Sequence, residues 1–254
     1  LGSVGVIVAA NFKILPRPQI DTTLLIRDLT QHQATEIVAK VLRSSLEPSA
    51  MTLIGGSGHP RLALGEASPG RMDLAVRCEG RREHVARHVR DIRGYAGEVG
   101  RDTNVDLDDQ VARDLWENVT KMTHGIPQDP TGPHAALRVR GKRAELMEAI
   151  EELERQASDA QLACSWVAHA ASGLIVAHLR PVREGDAWPA AVATTRQRLV
   201  TRARSAIFLR VRPVAPGGID AWGDAPPGLA IMRRIKDAYD PYATLNAGRS
   251  VGGL

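Results

Sequence analysis

Apolar and polar positions along the first half of the chain follow two different spacings. Short aliphatic runs predict strands, and longer stretches with apolar residues three and four positions apart predict helices. Asp28 or Thr30 can cap the first helix, and Gly80 can turn the chain from a strand into the second. The predicted strands are 22–27, 50–55, 61–66 and 72–78, and the predicted helices are the stripe from Ala34 to Leu42, residues 82–96, and residues 105–123 after a start at Asp102 or Thr103.

A linker rich in proline and glycine, residues 124–134, separates this half from a second one. There the predicted strands are 135–140, 162–168, 173–180 and 206–212, and the predicted helices are 142–157 and 189–204. Both halves run strand, helix, strand, strand, helix, the β-α-β-β-α order of a ferredoxin-like sheet, here duplicated. Because each helix has one apolar stripe to bury, we expect an α+β fold with helices packed on an antiparallel sheet.

Each end of the chain carries one further predicted element. Residues 4–15 form a β-branched run that predicts a strand, stopped at Pro16 because proline cannot donate to a strand ladder. A final helix starts after Pro226-Pro227 and stops at Asp240-Pro241. Its predicted buried stripe is Leu229, Met232, Ile235 and Tyr239.

Composition narrows the class of protein. The 254 residues are 43% hydrophobic and 24% charged, which is typical of a globular protein. No apolar run reaches the roughly 18–20 residues that cross a bilayer, so we expect at most peripheral membrane contact. Two cysteines cannot build a disulfide framework or a thiolate zinc site, which suits a cytoplasmic location. The net charge is +4, but the arginines are dispersed and only 4% of residues are aromatic, which argues against nucleic-acid binding.

Both ends of the chain resemble segments of one family. The start, LGSVGVIVAANFKILPRP, resembles the end of the flavin-binding domain of vanillyl-alcohol-oxidase-type flavoproteins, and its KILPRP ending is most similar to the FAD-binding subunit of bacterial glycolate oxidase. The final residues, AWGDAPPGLAIMRRIKDAYDPYATLNAGRSVGGL, are similar to that subunit's tail, which has a helix ending in Lys, then Asp-Pro, then Leu-Asn-Pro-Gly-Arg. Ala247 replaces the family's proline. The start lacks an initiator methionine, so we expect a C-terminal fragment.

The resemblance implies FAD as the cofactor and a division into three segments. Residues 1–18 would end the FAD-binding domain, 19–213 would form the substrate or cap domain, and 214–254 would return to the flavin. Glycines would let the backbone approach the cofactor, an asparagine would meet the flavin edge, and an arginine would hold an anion. From the residues alone, a bulge, a capping asparagine and a solvated arginine are simpler interpretations. The implied contacts are Gly2, Ser3, Gly5, Val6, Ile7, Asn246 and Arg249.

One histidine matches a metal-binding segment of some relatives. The sequence around His169, AHAASG, resembles the family segment Gly-His-x-Gly-Asp-Gly-Asn-Leu-His, but Val176 occupies the position of its second histidine. His178 is displaced from that position by two residues. A single histidine is too few ligands for a zinc site, so we expect no metal. His169 remains a candidate catalytic donor or base, and the alternative is a strand-end histidine near a turn.

By resemblance, the whole enzyme would oxidise a small 2-hydroxy acid, with glycolate or D-lactate as candidates. Hydride would pass to the flavin, and an arginine such as Arg249 would hold the substrate carboxylate. The expected partners are a second flavin subunit and an iron–sulfur subunit, with peripheral contact at the inner face of the membrane. The fragment alone would be inactive, because the family's phosphate-binding glycine loop would lie upstream. The alternatives are a D-lactate dehydrogenase that works as a single polypeptide and a non-enzymatic tandem ferredoxin-like module that binds a ligand or a partner.

Overall fold

The computed structural model describes residues 2–14, 16–57, 68, 70–101, 105–107, 109–183, 187–200, 205–212 and 219–254. The polypeptide forms two compact units. We call residues Pro18–Ile219 the sheet unit, and we call Leu1–Arg17 together with Asp220–Leu254 the terminal unit. The terminal unit therefore combines the two ends of the sequence.

The sheet unit is built on a sheet of eight described strands. Their order across the sheet is β4-β1-β3-β2-β6-β7-β5-β8, and every neighbouring pair is antiparallel. The strands are β1 Ile20–Leu29, β2 Ala50–Gly55, β3 Met72–Gly80, β4 Val105–Asp106, β5 His134–Arg140, β6 Leu162–His169, β7 Leu174–Pro181 and β8 Ser205–Arg212.

The order of strands confirms the duplicated ferredoxin-like fold that the sequence predicts. The first four strands lie in the order 4-1-3-2, and the last four repeat that order in reverse. The two halves join where β2 pairs with β6, at Thr52 opposite His169 and Ile54 opposite Val167. The helices are α1 Gln31–Arg43, α2 Arg82–Glu98, α3 Asp109–Thr123, α4 Leu146–Asp159, α5 Trp188–Val200 and α6 Leu229–Tyr239, with 3-10 turns at Arg143–Glu145 and Val251–Gly253.

Helix α3, between the two halves, packs across the joined sheet. It contacts β1, β6 and β7, whereas α1 and α2 contact β1 and β3, and α4 contacts β6 and β7. Successive residues of a strand point to opposite faces of the sheet. Leu25 and Ile54 point to the face that α3 covers, so Leu24 and Leu53 point to the other face. The buried cluster beneath α3 contains Leu25, Ile54, Ala75, Val167 and Val176 from the strands, and Leu115, Val119 and Met122 from the helix.

The start of α3 differs from the predicted helix over 105–123. Val105 and Asp106 pair with β1 instead, and the helix begins at Asp109. The edge of β1 offers unpaired backbone groups, and pairing with them outweighs a helical spacing that is only a local preference. Of the two predicted candidates, Asp28 and Thr30, it is Thr30 that caps α1, with a reciprocal bond between Thr30 and Gln33. The predicted strand 61–66 and the starts at Asp102 or Thr103 lie outside the described residues.

Two predictions for the terminal unit are wrong. Residues 4–14 form no strand, and Val8 is 93% exposed, because none of the described strands pairs with this segment. Helix α6 forms, but Met232 and Tyr239 of the predicted buried stripe are exposed and Lys236 is the buried residue. No helix among the described residues has both the length and the apolar character needed to cross a membrane.

Candidate functional site

Lys236 is the buried residue of helix α6 in the terminal unit. Helix α6 places its side chain inward, where it is only 5% exposed. The ammonium group donates to the backbone oxygens of Ser3 at 2.8 Å and Leu245 at 2.7 Å, and also to the Asp240 carboxylate. These are all three protons that a lysine can donate. One buried charge thereby ties the first residues of the chain to the loop after α6.

Asp240 completes this arrangement from the C-terminal end of α6. Its Oδ1 accepts from the backbone nitrogen of Thr244 at 3.0 Å and from the Thr244 hydroxyl at 2.8 Å. Its Oδ2 accepts from the backbone nitrogen of Leu245 at 2.8 Å as well as from Lys236. The Lys236 ammonium and these donors hold the pKa of the Asp240 carboxyl well below its usual range. The carboxylate therefore stays ionised and fixes the loop.

Three of the predicted cofactor residues meet beside this pair. The amide of Asn246 donates from Nδ2 to the backbone oxygen of Gly2 at 3.2 Å, and Ser3 is held by Lys236. Gly2 has a φ of +62°, and a Cβ there would lie 3.3 Å from the Asn246 nitrogen. Asn246 and Ala243 also have positive φ, at 49° each. The approach of the two segments thus depends on unusual backbone conformations at several positions.

Arg249 lies just beyond, in the same terminal unit. Its backbone nitrogen donates to the Asn246 oxygen at 3.1 Å, and its own backbone oxygen accepts from the Trp222 indole at 3.1 Å. The backbone is therefore held on both sides. The Arg249 side chain is exposed, so its guanidinium can reach an anion in solution.

The remaining predicted cofactor contacts are Gly5, Val6 and Ile7. Val6 and Ile7 are 73% and 86% exposed, and no atom lies within 4 Å of where a Gly5 Cβ would be. Their exposed backbone has the donors and acceptors that the edge of a flavin requires, and the open space at Gly5 allows close approach. These three positions are therefore accessible to a ligand.

His169 belongs to the sheet unit, at the end of β6. Its Nδ1 lies 3.2 Å from the Thr52 hydroxyl of β2, and its Nε2 lies 2.9 Å from the Thr123 hydroxyl at the end of α3. Burial lowers the pKa of His169. The ring therefore links two strands and a helix at the point where the two halves of the sheet join.

The hydroxyl groups around His169 determine which nitrogen carries the proton. Thr123 donates its single hydroxyl proton to the backbone oxygen of Val119 at 2.7 Å, so it must accept from His169 Nε2. Nδ1 is then the acceptor, and Thr52 donates to it. Because the lone pair of Nδ1 is engaged, His169 can take a proton from a substrate only after the Thr52 hydroxyl moves away.

Sequence reasoning missed Lys236, Asp240 and the two threonines around His169. Lysine and aspartate four residues apart on a helix are normally a solvent-exposed pair, so their spacing gave no sign of burial. The apolar stripe offered no signal either, because Ile235 continues it one turn after Met232. Among the described residues, no three His, Cys, Asp or Glu side chains are grouped as metal ligands would be.

Solved structures of two other proteins share this fold. An alkyldihydroxyacetonephosphate synthase matches with a TM-score of 0.61 and 10% identity over 96% of this chain, and p-cresol methylhydroxylase with substrate bound matches with 0.58 and 13% over 92%. The chain spans about half their length, 47% and 53%. No protein-family model and no curated protein matches the sequence. At these identities the likeness establishes the fold alone, and that fold is shared with about half of each of the two enzymes.

Proposed function

We propose that this chain is part of an FAD-dependent oxidoreductase that acts on a small 2-hydroxy acid, with glycolate and D-lactate as candidates. The observation that carries the proposal is that the two ends of the chain, which resemble flavin-binding segments, combine into one unit. There Gly2 and Ser3 are fixed against the loop that carries Asn246. The two solved enzymes that share this fold over more than nine tenths of the chain bind FAD, and this supports the same proposal.

Exposed apolar residues in the terminal unit support a further flavin-binding part. Val8, Phe12 and Ile14 are 93%, 84% and 90% exposed on a segment that pairs with none of the described strands. Ile231 and Tyr239 on α6 are 62% and 72% exposed. Burial of large aliphatic side chains is worth about 1.5–3 kcal/mol each, so such surfaces are normally covered. We propose that the rest of a flavin-binding domain covers them.

The residues of this chain have distinct roles in the proposed reaction. FAD, when bound, would accept the hydride from the hydroxyl-bearing carbon of the substrate. The exposed backbone of Gly5 to Ile7 and the Asn246 amide would orient the flavin edge, and the Arg249 guanidinium would hold the substrate carboxylate. His169 would take part in proton transfer only with the Thr52 hydroxyl displaced, because that hydroxyl occupies its lone pair.

The proposal extends to partners and location. A second flavin subunit and an iron–sulfur subunit would pass the electrons onward, as the resemblance to the glycolate oxidase subunit implies. A cytoplasmic site, with contact at the inner face of the membrane, is consistent with such a complex. Both statements follow from the resemblance and are separate from the flavin chemistry.

A visible absorption spectrum of the purified chain, extended by its natural upstream residues, tests the proposal. We expect bound flavin, which bleaches when glycolate or D-lactate is added without oxygen. Arg249→Gln should keep the flavin spectrum and raise the substrate concentration needed for half-maximal bleaching. Arg234→Gln, which changes an exposed arginine on α6, is the matched control and should bleach as the unaltered protein does.

The other outcomes distinguish the alternatives. Flavin that bleaches with neither acid would refute the substrate class and retain the cofactor. A folded, extended protein without flavin would refute the oxidoreductase proposal and favour a tandem ferredoxin-like binding module. Bleaching and onward electron transfer to a soluble acceptor, without any partner subunit, would favour the D-lactate dehydrogenase that works as a single polypeptide.

A further inference from the structure

The Lys236–Asp240 pair differs from the other lysine–carboxylate pairs that helices present at a spacing of four residues. In α3, Lys121 and Glu117 form such a pair at 2.6 Å with side chains that are 45% and 64% exposed. The side chains of Lys236 and Asp240 are 7% and 5% exposed. Removing two charges from water is costly, and an apolar residue usually stabilises a buried helix position better. A structural role alone therefore explains this pair poorly.

The hydrogen bonds of the pair lead to two short backbone segments. Lys236 bonds to the oxygens of Ser3 and Leu245, and Asp240 bonds to the amides of Thr244 and Leu245. The segments are far apart in sequence, and one has positive φ at Gly2 while the other has it at Asn246. Glycine adopts a positive φ without strain, whereas at Asn246 that conformation is less common and is favoured where the surroundings fix the backbone. The pair supplies those surroundings from one side.

We propose that Lys236 and Asp240 are positioning residues that hold the Gly2–Ser3 and Thr244–Asn246 segments in one arrangement, to which the flavin edge binds. The inference rests on the proposed function, because it assigns the two segments to the flavin. The pair itself makes no contact with the cofactor in this proposal. It acts through the backbone oxygens and amides that it fixes, and its loss allows the two segments to separate.

Two variants remove the pair in different ways. Lys236→Met keeps the length of the side chain and removes all three donors, and Asp240→Asn keeps the shape and removes the charge. Lys121→Met, which removes the exposed pair on α3, is the matched control. All variants are made in the protein extended by its natural upstream residues. The measurements are hydrogen exchange of the Thr244 and Leu245 amides without flavin, the dissociation constant of FAD, and the visible circular dichroism of bound flavin.

We expect both variants to accelerate exchange at Thr244 and Leu245 by at least about tenfold, because these amides donate to Asp240. We expect FAD binding to weaken by at least about tenfold, the size of an effect that one well-placed hydrogen bond has in a binding site. The circular dichroism of the remaining bound flavin should change, since the segments at its edge are no longer fixed. Lys121→Met should leave all three measurements unchanged.

Three results would overturn the proposal at different points. Unchanged exchange at Thr244 and Leu245 would refute the positioning of the loop. Faster exchange with unchanged FAD affinity and unchanged circular dichroism would show that the pair is merely structural. An unaltered protein that binds no flavin would refute the proposed function, while faster exchange in the variants would still confirm the pair's hold on the loop. If Lys236→Met does not fold, the same comparisons apply to Asp240→Asn.

Discussion

The bonds around His169 predict opposite effects of two conservative substitutions on one titration. Thr52→Val removes the hydroxyl that donates to Nδ1, and Thr123→Val removes the hydroxyl that accepts from Nε2. A donor to Nδ1 stabilises the neutral ring, so its removal should raise the pKa of His169. An acceptor for Nε2–H favours the charged ring more than the neutral one, so its removal should lower that pKa.

The cost in stability follows from the same bonds. Thr52 is fully buried, and valine fits its space, so Thr52→Val should reduce the free energy of unfolding by about 1 kcal/mol, the value of one hydrogen bond. Thr123→Val removes the bond to His169 and the bond to the Val119 oxygen, and should cost about 1–2 kcal/mol. Neither change opens a cavity, because threonine and valine have nearly the same volume.

Nitrogen-detected NMR of the imidazole, followed through a pH titration, measures the tautomer and the pKa together. In the unaltered protein we expect a proton on Nε2 and none on Nδ1. Urea unfolding of the three proteins gives the stabilities. A proton on Nδ1 would refute the assignment and would place the lone pair of the neutral ring on Nε2 instead. Changes in the pKa of His169 that have the same sign in both variants would also refute it.

Three further predictions concern acid stability, the core and the glycines. Burial lowers the pKa of His134 and His178, so the unfolded chain binds more protons than the folded one below about pH 6.5. The free energy of unfolding should therefore fall, as the pH is lowered, by at most about 1.4 kcal/mol per pH unit for each histidine. Urea unfolding at pH 7.5 and 5.5 should show a smaller loss of this free energy in His178→Gln than in the unaltered protein. Leu115→Ala, on the buried face of α3, should reduce the free energy of unfolding in urea by about 2–5 kcal/mol. An equal reduction for Leu42→Ala, at a residue that is 37% exposed, would contradict the placement of the core. Gly5→Ala should weaken FAD binding severalfold at unchanged apoprotein stability, because a Cβ there meets only open space until a ligand approaches, and unchanged affinity would favour the bulge interpretation.

The sequence predicted an element correctly where the residues that determine it lie close together in the chain, or where the second half of the chain repeats the order of the first. The strands 50–55 and 72–78 lie where β2 and β3 are observed, since their apolar runs report two covered faces. The cap of α1 is a local feature, and the sequence narrowed it to Asp28 or Thr30, of which the structure shows Thr30. The pairing of Val105–Asp106 with β1 was not readable, because nothing near residue 105 reports an open strand edge about eighty residues earlier.

The two failures in the terminal unit share one physical cause. A β-branched run predicts a strand, and an apolar stripe predicts a buried helix face, only if a second surface is present to receive them. Val8 and Tyr239 belong to such patterns, and both are exposed in the same unit as a lysine that is buried. Lys236 is buried because the three groups that accept its protons lie within the terminal unit. Val8 and Tyr239 stay exposed because none of the described residues forms a surface that covers them. If the proposed function holds, these exposed residues pack against a further flavin-binding part. Phe12→Ser in the extended protein should then weaken FAD binding and leave the urea unfolding of the sheet unit unchanged, and unchanged FAD affinity would contradict this packing.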